Sequence, residues 1–383
     1  MSEHPPVRIE QMRIPDEFDD AAQELLGRVA ELVRRSRQHV WGISDLTGDA
    51  QELYRDLLDP FERVVVLLAW AGDRLAGRAE VRMPLVTLTD SAHITVDVDP
   101  DVTSQGTGSE LLAAAEQLAV GESRRHLRIQ TEHPGPEEIQ GDGSVTGVFP
   151  LVTPGMVEWV DAADGSGRLP VSNRQTRFAL SAGYRLESVS DFGVLDVPLP
   201  PERVAALLDE VASSPAQEPY RIHVWSGPAP EDRLDELAAL HSRMATDSFL
   251  APVAAAEPEP WDAERVRRTE QLRAEAGNLS LVAVAEHEPT GRLVGMTEIV
   301  LAGEEPPIGM QDETVVLREH RRRWLATRLK LANLQQLERL APSVRTVYSW
   351  SHSGDDRMSR VNARLGFRVA GRSGVWARDF PSA

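Results

Sequence analysis

The sequence predicts an α/β protein made of two copies of one layered domain, and three observations support this interpretation. Predicted strands alternate with predicted helices along the chain, which is typical of sheets covered by helices. Several segments recur later in the chain at one fixed spacing. With 383 residues, of which 41% are hydrophobic and 26% charged, the chain is long enough for two domains and has an ordinary globular composition.

The repeat is visible as matched segments that keep a constant register. Three pairs of segments share one and the same offset in residue number: 72–77 and 290–295, 96–112 and 314–330, and 127–129 and 345–347. A fourth pair, 182–186 and 365–369, has a smaller offset, so the first copy contains about 35 additional residues. These residues fit the Gly-, Pro- and Asp-rich stretch 133–170, which we expect to form a long loop or flap.

Each copy is predicted to contain the same elements in the same order, from apolar alternation and from turn residues between the runs. The first copy has predicted strands at 7–12, 64–70, 77–83, 92–98 and 127–131, and a predicted helix at 17–35. The second copy has predicted strands at 220–225, 280–286, 294–301, 314–317 and 346–350, and a predicted helix at 232–243. In both copies a helix follows the fourth of these strands, and a last helix and strand close the copy. An amphipathic helix predicted at 202–212 marks the junction, which gives domains at 1–200 and 201–383.

Composition excludes several classes of function. The 41 Lys and Arg against 60 Asp and Glu give a formal net charge of −19, which argues against nucleic acid and anionic membrane partners and favours a cationic substrate. The absence of cysteine excludes disulfides, thiolate metal sites and a cysteine nucleophile, and no His, Asp or Glu spacing predicts a metal site. The amino-terminal segment lacks an apolar signal core and the longest apolar run is too short to span a bilayer, so we expect a cytoplasmic protein.

A glycine-rich turn between a predicted strand and a predicted helix is the feature that points to chemistry. It contains Gly106 and Gly108 and leads from the fourth strand of the first copy into the following helix. Backbone N–H groups at a helix N-terminus bind anions, and glycine lets a phosphate approach them closely. No Lys-Ser or Lys-Thr pair and no third glycine follow, so neither a nucleotide P-loop nor a dinucleotide fingerprint is predicted. The alternative is a turn that starts a helix and binds no ligand.

The order of elements and this turn resemble the GNAT N-acetyltransferases, in particular the two-domain members that include mycothiol synthase. The resemblance covers nearly the whole chain, except 133–170 and the termini. It implies two tandem GNAT-like domains, each with a mixed, mainly antiparallel central sheet flanked by helices. Members of the family carry an Arg/Gln-x-x-Gly-x-Gly/Ala loop that holds the pyrophosphate of acetyl-CoA, so the resemblance implies acetyl-CoA or another acyl-CoA as cofactor.

The resemblance maps the cofactor loop onto both copies. In the first copy the implied cofactor-binding residues are Val98, Thr103, Ser104, Gln105, Gly106, Thr107, Gly108 and Ser109. In the second copy they are Leu317, Arg321, Arg322, Arg323, Trp324, Leu325 and Ala326. Thr103 replaces the usual Arg or Gln, and Trp324 replaces the inner glycine, where the flanking arginines could supply positive charge. The first copy has the better loop, so we expect the cofactor there, although the second copy matches the last-helix motif better, through Met358, Asn362 and Leu365-Gly366-Phe367.

The family mechanism implies direct transfer of the acetyl group from CoA to an amine. A general base takes a proton from the amine, and a tyrosine on the last helix often protonates the leaving thiolate. The tyrosine position is Ala179 in the first copy and Asn362 in the second, so the usual acid is missing from both. The candidate catalytic residues are Glu298, Glu313 and His352, with Glu132, His133 and Asp355 as further candidates.

The leading prediction is therefore an acetyl-CoA-dependent N-acyltransferase that acts on a small-molecule amine, which the acidity of the chain favours as a cation. The alternative is a catalytically degenerate tandem GNAT protein that binds acyl-CoA or another ligand without turnover. No nucleic acid, membrane or metal is expected as a partner. The sequence identifies neither the acceptor nor the oligomeric state.

Overall fold

The computed structural model describes residues 7–44, 46–134, 138–139, 145–146, 158–213, 219–247, 261–303 and 307–381. The strands predicted in both copies are present, and most extend beyond their predicted bounds. The first part of the chain contains β1 Arg8–Gln11, α1 Asp20–Trp41, α2 Ala50–Leu57, β2 Glu62–Ala71, β3 Arg74–Pro84, β4 Ser91–Val98, α3 Thr107–Gly121 and β5 His126–Pro134. It continues with β6 Glu138–Ile139, β7 Val145–Thr146, β8 Trp159–Asp161, β9 Arg168–Pro170, α4 Arg174–Ser181 and β10 Arg185–Asp196.

The second part of the chain repeats this order of elements. It contains α5 Pro201–Ala212, β11 Tyr220–Ser226, α6 Leu234–Asp247, α7 Ala263–Glu275, β12 Asn278–His287 and β13 Arg292–Ala302. It ends with β14 Ile308–Val316, α8 Leu325–Leu340, β15 Thr346–His352, α9 Asp356–Leu365 and β16 Arg368–Asp379. Helices α2 and α7 were not predicted, because α2 is short and α7 carries an apolar face too sparse for a clear helical period. Both are instead started by aspartate caps, Asp49 and Asp262.

The predicted loop 133–170 is described only in part. The short strands β6 and β7 pair with each other, and so do β8 and β9. Residues 135–137, 140–144 and 147–157 of this predicted loop lie outside the described residues.

The chain divides into two compact units that differ from the predicted division at residue 200. Unit 1 comprises Met1–Ser190 and Gly371–Ala383, and unit 2 comprises Asp191–Ala370. The predicted division follows the duplication along the chain, whereas the units follow packing. The difference arises at the ends of the two copies, because each of the long strands β10 and β16 is shared between the units.

The sheet of unit 1 is mixed and mainly antiparallel. The order begins β1-β2-β3-β4-β5, in which only the β4–β5 pair is parallel. The β4–β5 pairing covers only Ser91–Ile94 opposite His126–Ile129, so the remaining residues of the two strands diverge. Unit 2 repeats this arrangement, with Ile308–Gln311 of β14 parallel to Thr346–Ser349 of β15.

The last strand of the chain completes the sheet of unit 1. Gly371–Asp379 pairs antiparallel with His126–Pro134, which is the full length of β5. Trp376 of this strand is fully buried in the core of unit 1 and its Nε1 donates to Thr131 Oγ1 at 2.7 Å. Strand β5, which borders the divergence from β4, is therefore held on its other side by residues that come from the end of the chain.

Helices cover both faces of each sheet because alternate strand residues are apolar on both sides. In unit 1, Leu111 and Ala115 of α3 belong to one buried apolar cluster with Val81 of β3, and Leu26 of α1 belongs to another with Val66 of β2. In unit 2, α8 contributes apolar residues to two buried clusters, one of which also contains α9. Residues of α6 and α7 belong to a third cluster. Each unit thus has a mixed, mainly antiparallel sheet flanked by helices, as predicted.

Candidate functional site

A cleft of about 300 Å³ opens in unit 1 where β4 and β5 diverge. Its lining comes from both strands, from the glycine-rich turn with the first residues of α3, and from two further helices. The strands contribute Ile94, Thr95, Val96, Asp97, Val98, Ile129, Gln130, Thr131 and Glu132. The turn contributes Thr103, Ser104, Gly106, Gly108 and Ser109, and the helices contribute Ser36, Arg37, Val40, Arg174, Gln175 and Phe178. The chain thus brings segments that are far apart in sequence to one cavity.

The turn presents uncapped backbone N–H groups at the start of α3. Gly106 is the N-cap residue, with φ of 96°, and no side chain caps the helix. The first N–H groups of α3 therefore have no partner within the helix, which makes this end an anion-binding position. A Cβ atom at Gly108 would lie 3.4 Å from Val98 Cγ2 and 3.6 Å from Phe178 Cε2, so a larger side chain there would crowd this part of the cleft lining. Of the predicted residues in this loop, only Gln105 and Thr107 do not line the cleft, since Gln105 is exposed and Thr107 is buried.

Arg174 adds a positive charge to the cleft that no described carboxylate neutralises. It is the first residue of α4 and is half-buried. Among the described residues no acidic group forms an ion pair with its guanidinium, and burial lowers the pKa of Arg174. A guanidinium at the cleft with no counter-ion among the described residues is available to pair with an anionic ligand.

Two aspartates and two arginines anchor the turn to the rest of unit 1. The buried carboxylate of Asp99 lies 2.8 Å from Arg35 of α1 and 2.8 Å from Arg74 of β3. The exposed Asp101 lies 2.9 and 2.8 Å from the same two arginines. Asp99 Oδ1 also accepts from the N–H of Asp101 at 3.0 Å, which starts the short 3-10 helix before the turn. These ion pairs therefore fix the turn to α1 and β3.

The other end of the cleft carries the carboxylate of Glu132 on β5. Trp41 of α1 donates its Nε1 hydrogen to Glu132 Oε2, and Arg37 Nη2 lies 3.8 Å from Glu132 Oε1. Burial raises the pKa of Glu132, and the negative charge of Asp97 acts in the same direction, whereas Arg37 and Trp41 lower it. Asp97 lines the cleft from β4 and accepts from Arg78 Nε at 2.9 Å. A carboxylate with a raised pKa that borders a cleft is suited to take up a proton.

Neither His133 nor Ala179 lines this cleft. His133 is buried, its Nε2 lies 2.7 Å from Thr131 Oγ1, and burial lowers its pKa to about 4. Ala179, at the position where the family often has tyrosine, is fully buried in the core of unit 1.

The corresponding turn of unit 2 has the same backbone but different contacts. Arg322 and Trp324 have φ of 64° and 61°, and Ser104 and Gly106, at the matching positions of the first copy, also have positive φ. Trp324 occupies the N-cap position of α8, and the guanidinium of Arg364 lies 4.3 Å from its ring centroid. An indole therefore stands where unit 1 has no side chain.

The arginines predicted to bind the cofactor in unit 2 contact their own chain. Arg321 Nε donates to the carbonyl oxygen of Val316 at 2.9 Å, and Arg323 Nη1 donates to the Tyr220 hydroxyl at 3.0 Å. Leu325 is buried, Leu317 packs against the cores, Ala326 is half-buried and Arg322 is exposed.

The catalytic residues predicted in unit 2 are held in separate protein contacts. Glu298 is buried and bonded to Arg273, which also lies 2.8 Å from Asp312. Glu313 Oε2 lies 2.9 Å from His241 Nδ1, and the His241 ring stacks on Trp261. His352 is buried at the end of β15, and Asp355 caps α9 through its contact with the Arg357 N–H at 3.0 Å.

Asn362, the second tyrosine position, is bonded to the only lysine of the chain. Lys330 of α8 is 2% exposed, and its Nζ donates to Asn362 Oδ1 of α9 at 2.8 Å. Burial lowers the pKa of Lys330 to about 7. The first copy has Leu112 and Ala179 at the matching positions, so this polar helix–helix contact is particular to unit 2.

Sequence reasoning did not identify Arg37, Trp41, Asp97 and Arg174. Asp97 directly precedes the predicted loop residue Val98, and this adjacency was the one signal available for it. Arg37 and Trp41 come from the end of α1 and Arg174 from the start of α4, and nothing in their local sequence indicates a shared cavity.

The described residues contain neither a cluster of metal ligands nor a membrane-spanning helix. No group of three or more His, Asp or Glu residues in this part of the chain is placed to hold a metal ion. Of the helices that the structure describes, none combines the length and the apolar character needed to span a bilayer.

Comparisons with known proteins agree with the fold. Residues 28–137 match the model of the acetyltransferase (GNAT) family. A tandem GNAT protein from the clavulanic acid biosynthesis pathway is 23% identical, with a TM-score of 0.70 over 99% of this chain and 100% of that chain. A GCN5-related N-acetyltransferase from Sphaerobacter thermophilus is 18% identical, with a TM-score of 0.59 over 99% of this chain and 98% of that chain. A search of curated sequences finds no significant match. The likeness to mycothiol synthase stays a prediction.

Proposed function

From the tandem GNAT fold of this chain, we propose that unit 1 transfers an acyl group from acyl-CoA to a small-molecule amine. One observation carries this proposal. A single cleft between the diverging strands β4 and β5 has an anion-binding helix N-terminus at the turn and a half-buried carboxylate, Glu132, on β5. An acyltransferase needs both a position for the phosphates of the donor and a group that accepts the proton of the acceptor.

The donor would bind at the turn through backbone and side-chain charge. The N–H groups at the start of α3 suit the pyrophosphate, and Gly106, whose φ of 96° favours glycine, places no side chain beside them. Arg174 supplies positive charge, unpaired among the described residues, of the kind that a polyanion requires. These local charges act against the net charge of −19, so the site depends on short-range contacts.

The acceptor would lose its proton to Glu132. A cationic acceptor first gives up one proton to solvent, which leaves a lone pair on its nitrogen. The neutral amine nitrogen then attacks the thioester carbonyl carbon, a C–N bond forms, the C–S bond breaks, and the electron pair of that bond leaves with the thiolate. Glu132 accepts the proton that the nitrogen gives up and later releases it to solvent. The raised pKa of Glu132 lies closer to pH 7 than that of an ordinary glutamate, and a general base is most effective when its pKa is near the working pH. The net charge of −19 favours a cationic acceptor.

The proposal requires no protein acid for the leaving group. Ala179 cannot donate a proton and does not border the cleft. A thiol has a pKa of about 8.5 in water, so a thiolate leaves near neutral pH without prior protonation. The absence of tyrosine at position 179 nevertheless favours the second candidate function, in which unit 1 binds acyl-CoA without turnover.

Calorimetry with acetyl-CoA tests the binding step. We expect micromolar binding to the wild type, loss of at least tenfold in affinity for Gly106→Trp, and unchanged affinity for Arg321→Ala. The first variant places in unit 1 the residue that unit 2 carries at Trp324, where the same backbone is tolerated. The second variant is the matched control, since Arg321 belongs to unit 2. No heat with the wild type at millimolar acetyl-CoA would overturn the proposal.

Thiol release across a panel of amines tests turnover and narrows the acceptor. We expect turnover with at least one cationic small amine, and a fall of 100-fold or more in kcat for Glu132→Gln with acetyl-CoA affinity retained. Binding of acetyl-CoA without thiol release for any amine would support the non-catalytic alternative instead.

A further inference from the structure

We propose that Trp41, which packs against Gly371 of the last strand, is a positioning residue that orients the Glu132 carboxylate toward the cleft. The inference deepens the proposed function, because Glu132 is the base in that proposal. Trp41 itself does not line the cleft, so it would act through Glu132 and not on the substrate.

The contact between Trp41 and Glu132 fixes the direction of the carboxylate. Trp41 is the last residue of α1, and its indole Nε1 donates to Glu132 Oε2. The other oxygen, Oε1, lies 3.8 Å from Arg37 Nη2, which is within reach of an ion pair but not of a hydrogen bond. The indole N–H is therefore the directional contact that orients this side chain.

Gly371 provides the surface on which the indole lies. A Cβ atom at this position would be 1.7 Å from Trp41 Cζ3 and 2.6 Å from the backbone oxygen of His133. The backbone oxygen cannot move, because Gly371 pairs with Pro134 in the β5–β16 ladder. Any side chain at 371 would displace the indole, so the absence of one explains how Trp41 reaches Glu132.

The contact between the indole and Glu132 can be measured through the pKa of Glu132, which depends on the groups around the carboxylate. Burial is the largest influence and raises its pKa, and Asp97 of β4 raises it further. Arg37 of α1 opposes both, and the hydrogen bond from Trp41 also opposes them because it stabilises the charged carboxylate. Removal of the indole N–H should therefore raise the pKa of Glu132.

Trp41→Phe tests the contact because it keeps an aromatic ring and removes the donor. We expect the acidic limb of the pH profile of kcat/KM to shift by about one unit to higher pH. We also expect kcat to fall while KM for acyl-CoA stays unchanged. Trp70→Phe is the matched control, because the Trp70 Nε1 hydrogen has no acceptor among the described residues, and its profile should stay with the wild type. An unshifted acidic limb in Trp41→Phe would overturn the proposal.

Gly371→Ala tests separately whether the packing of the indole against Gly371 is required. We expect the same upward shift as in Trp41→Phe, and no additional shift in the double variant, because both changes remove one contact. Shifts that add in the double variant would mean that Gly371 acts on Glu132 by another route and would overturn this part of the proposal. Circular dichroism shows whether Gly371→Ala is folded, and Trp41→Phe carries the test if it is not.

A carbon-13 NMR titration of the glutamate carboxyls separates this inference from the proposed function. The Glu132 signal is assigned by its loss in Glu132→Gln, and its pKa is read without substrate or turnover. A higher pKa in Trp41→Phe than in the wild type supports the positioning role even if no amine is acylated. Equal values in the two proteins overturn it, whether or not the protein proves to be an acyltransferase.

Discussion

At the scale of single residues, the two copies show how one position of a repeat takes on different roles. Gly106 and Trp324 share a left-handed backbone at a helix N-cap, but only Trp324 adds a side chain at that position. Leu112 and Lys330 are both buried on the corresponding helices, and the lysine brings an amine into the interior of unit 2. Among the described residues, the lysine donates a hydrogen bond only to Asn362 and forms no ion pair.

Lys330 should make the stability of the protein depend on pH. Its folded pKa of about 7 is far below the value of about 10.4 for an unfolded lysine, so the unfolded state binds more protons between these values. The free energy of unfolding should therefore rise with pH from about 7 to 10, by as much as about 4 kcal/mol, and should lack this contribution to its slope below pH 7.

Lys330→Met isolates the effect, because all other titrating groups are common to both proteins. We expect the variant to be more stable than the wild type at pH 7, with the difference shrinking toward pH 10, in urea denaturation at a series of pH values. Parallel stability curves for the two proteins would show that the lysine stays protonated in the folded state.

At the scale of elements, the turn before α3 is a rigid part of unit 1. Asp99 and Asp101 bind the same two arginines, Arg35 and Arg74, but only Asp99 is buried. A buried carboxylate cannot exchange its partners for water, so its contribution to stability should exceed that of the exposed one.

Asp99→Asn should destabilise unit 1 by about 2–3 kcal/mol, because it removes the charge that the two arginines enclose. We also expect acetyl-CoA affinity to fall by about tenfold, since the turn loses its anchor. Asp101→Asn is the control and should cost less than about 1 kcal/mol, because its ion pairs are exposed. Denaturation and calorimetry on both variants give the comparison, and equal effects would contradict the importance of burial.

At the scale of the whole molecule, unit 1 depends on the end of the chain. Residues Gly371–Asp379 supply the antiparallel partner of β5, and Trp376 fills part of the core. The proposed base, Glu132, lies on β5 opposite Ser373 in the ladder. A substitution or deletion near the C-terminus can therefore affect the cleft, although all residues that line it lie between Ser36 and Phe178 in the sequence.

Truncation after Ala370 should prevent unit 1 from folding, because β5 loses its partner and the core loses a fully buried tryptophan. We expect loss of acetyl-CoA binding and rapid proteolysis within Met1–Ser190, the part of unit 1 that remains. Truncation after Pro381 keeps all of β16 and should behave like the full chain. Wild-type binding by the shorter protein would refute the role of this strand.

The sequence by itself determined the duplication, the order of the main strands and helices without α2 and α7, and the turn at Gly106 and Gly108. These features are local or periodic, and recognising segments that recur at one fixed spacing needs no tertiary information. Sequence reasoning also named Glu132 among several base candidates. It could not choose among them, because burial and ion pairs distinguish Glu132 from Glu298 and Glu313.

Only the tertiary structure decided which side chains share the cleft and where the last strand belongs. Arg37, Trp41 and Arg174 meet Glu132 or border its cleft because helices and strands distant in sequence pack around one divergence of the sheet. Gly371 lies against Trp41 although the two residues are near opposite ends of the chain, since strand pairing is fixed by backbone hydrogen bonds and core packing and not by position along the chain. Local sequence encodes the elements, and the free energy of burying them together selects their partners.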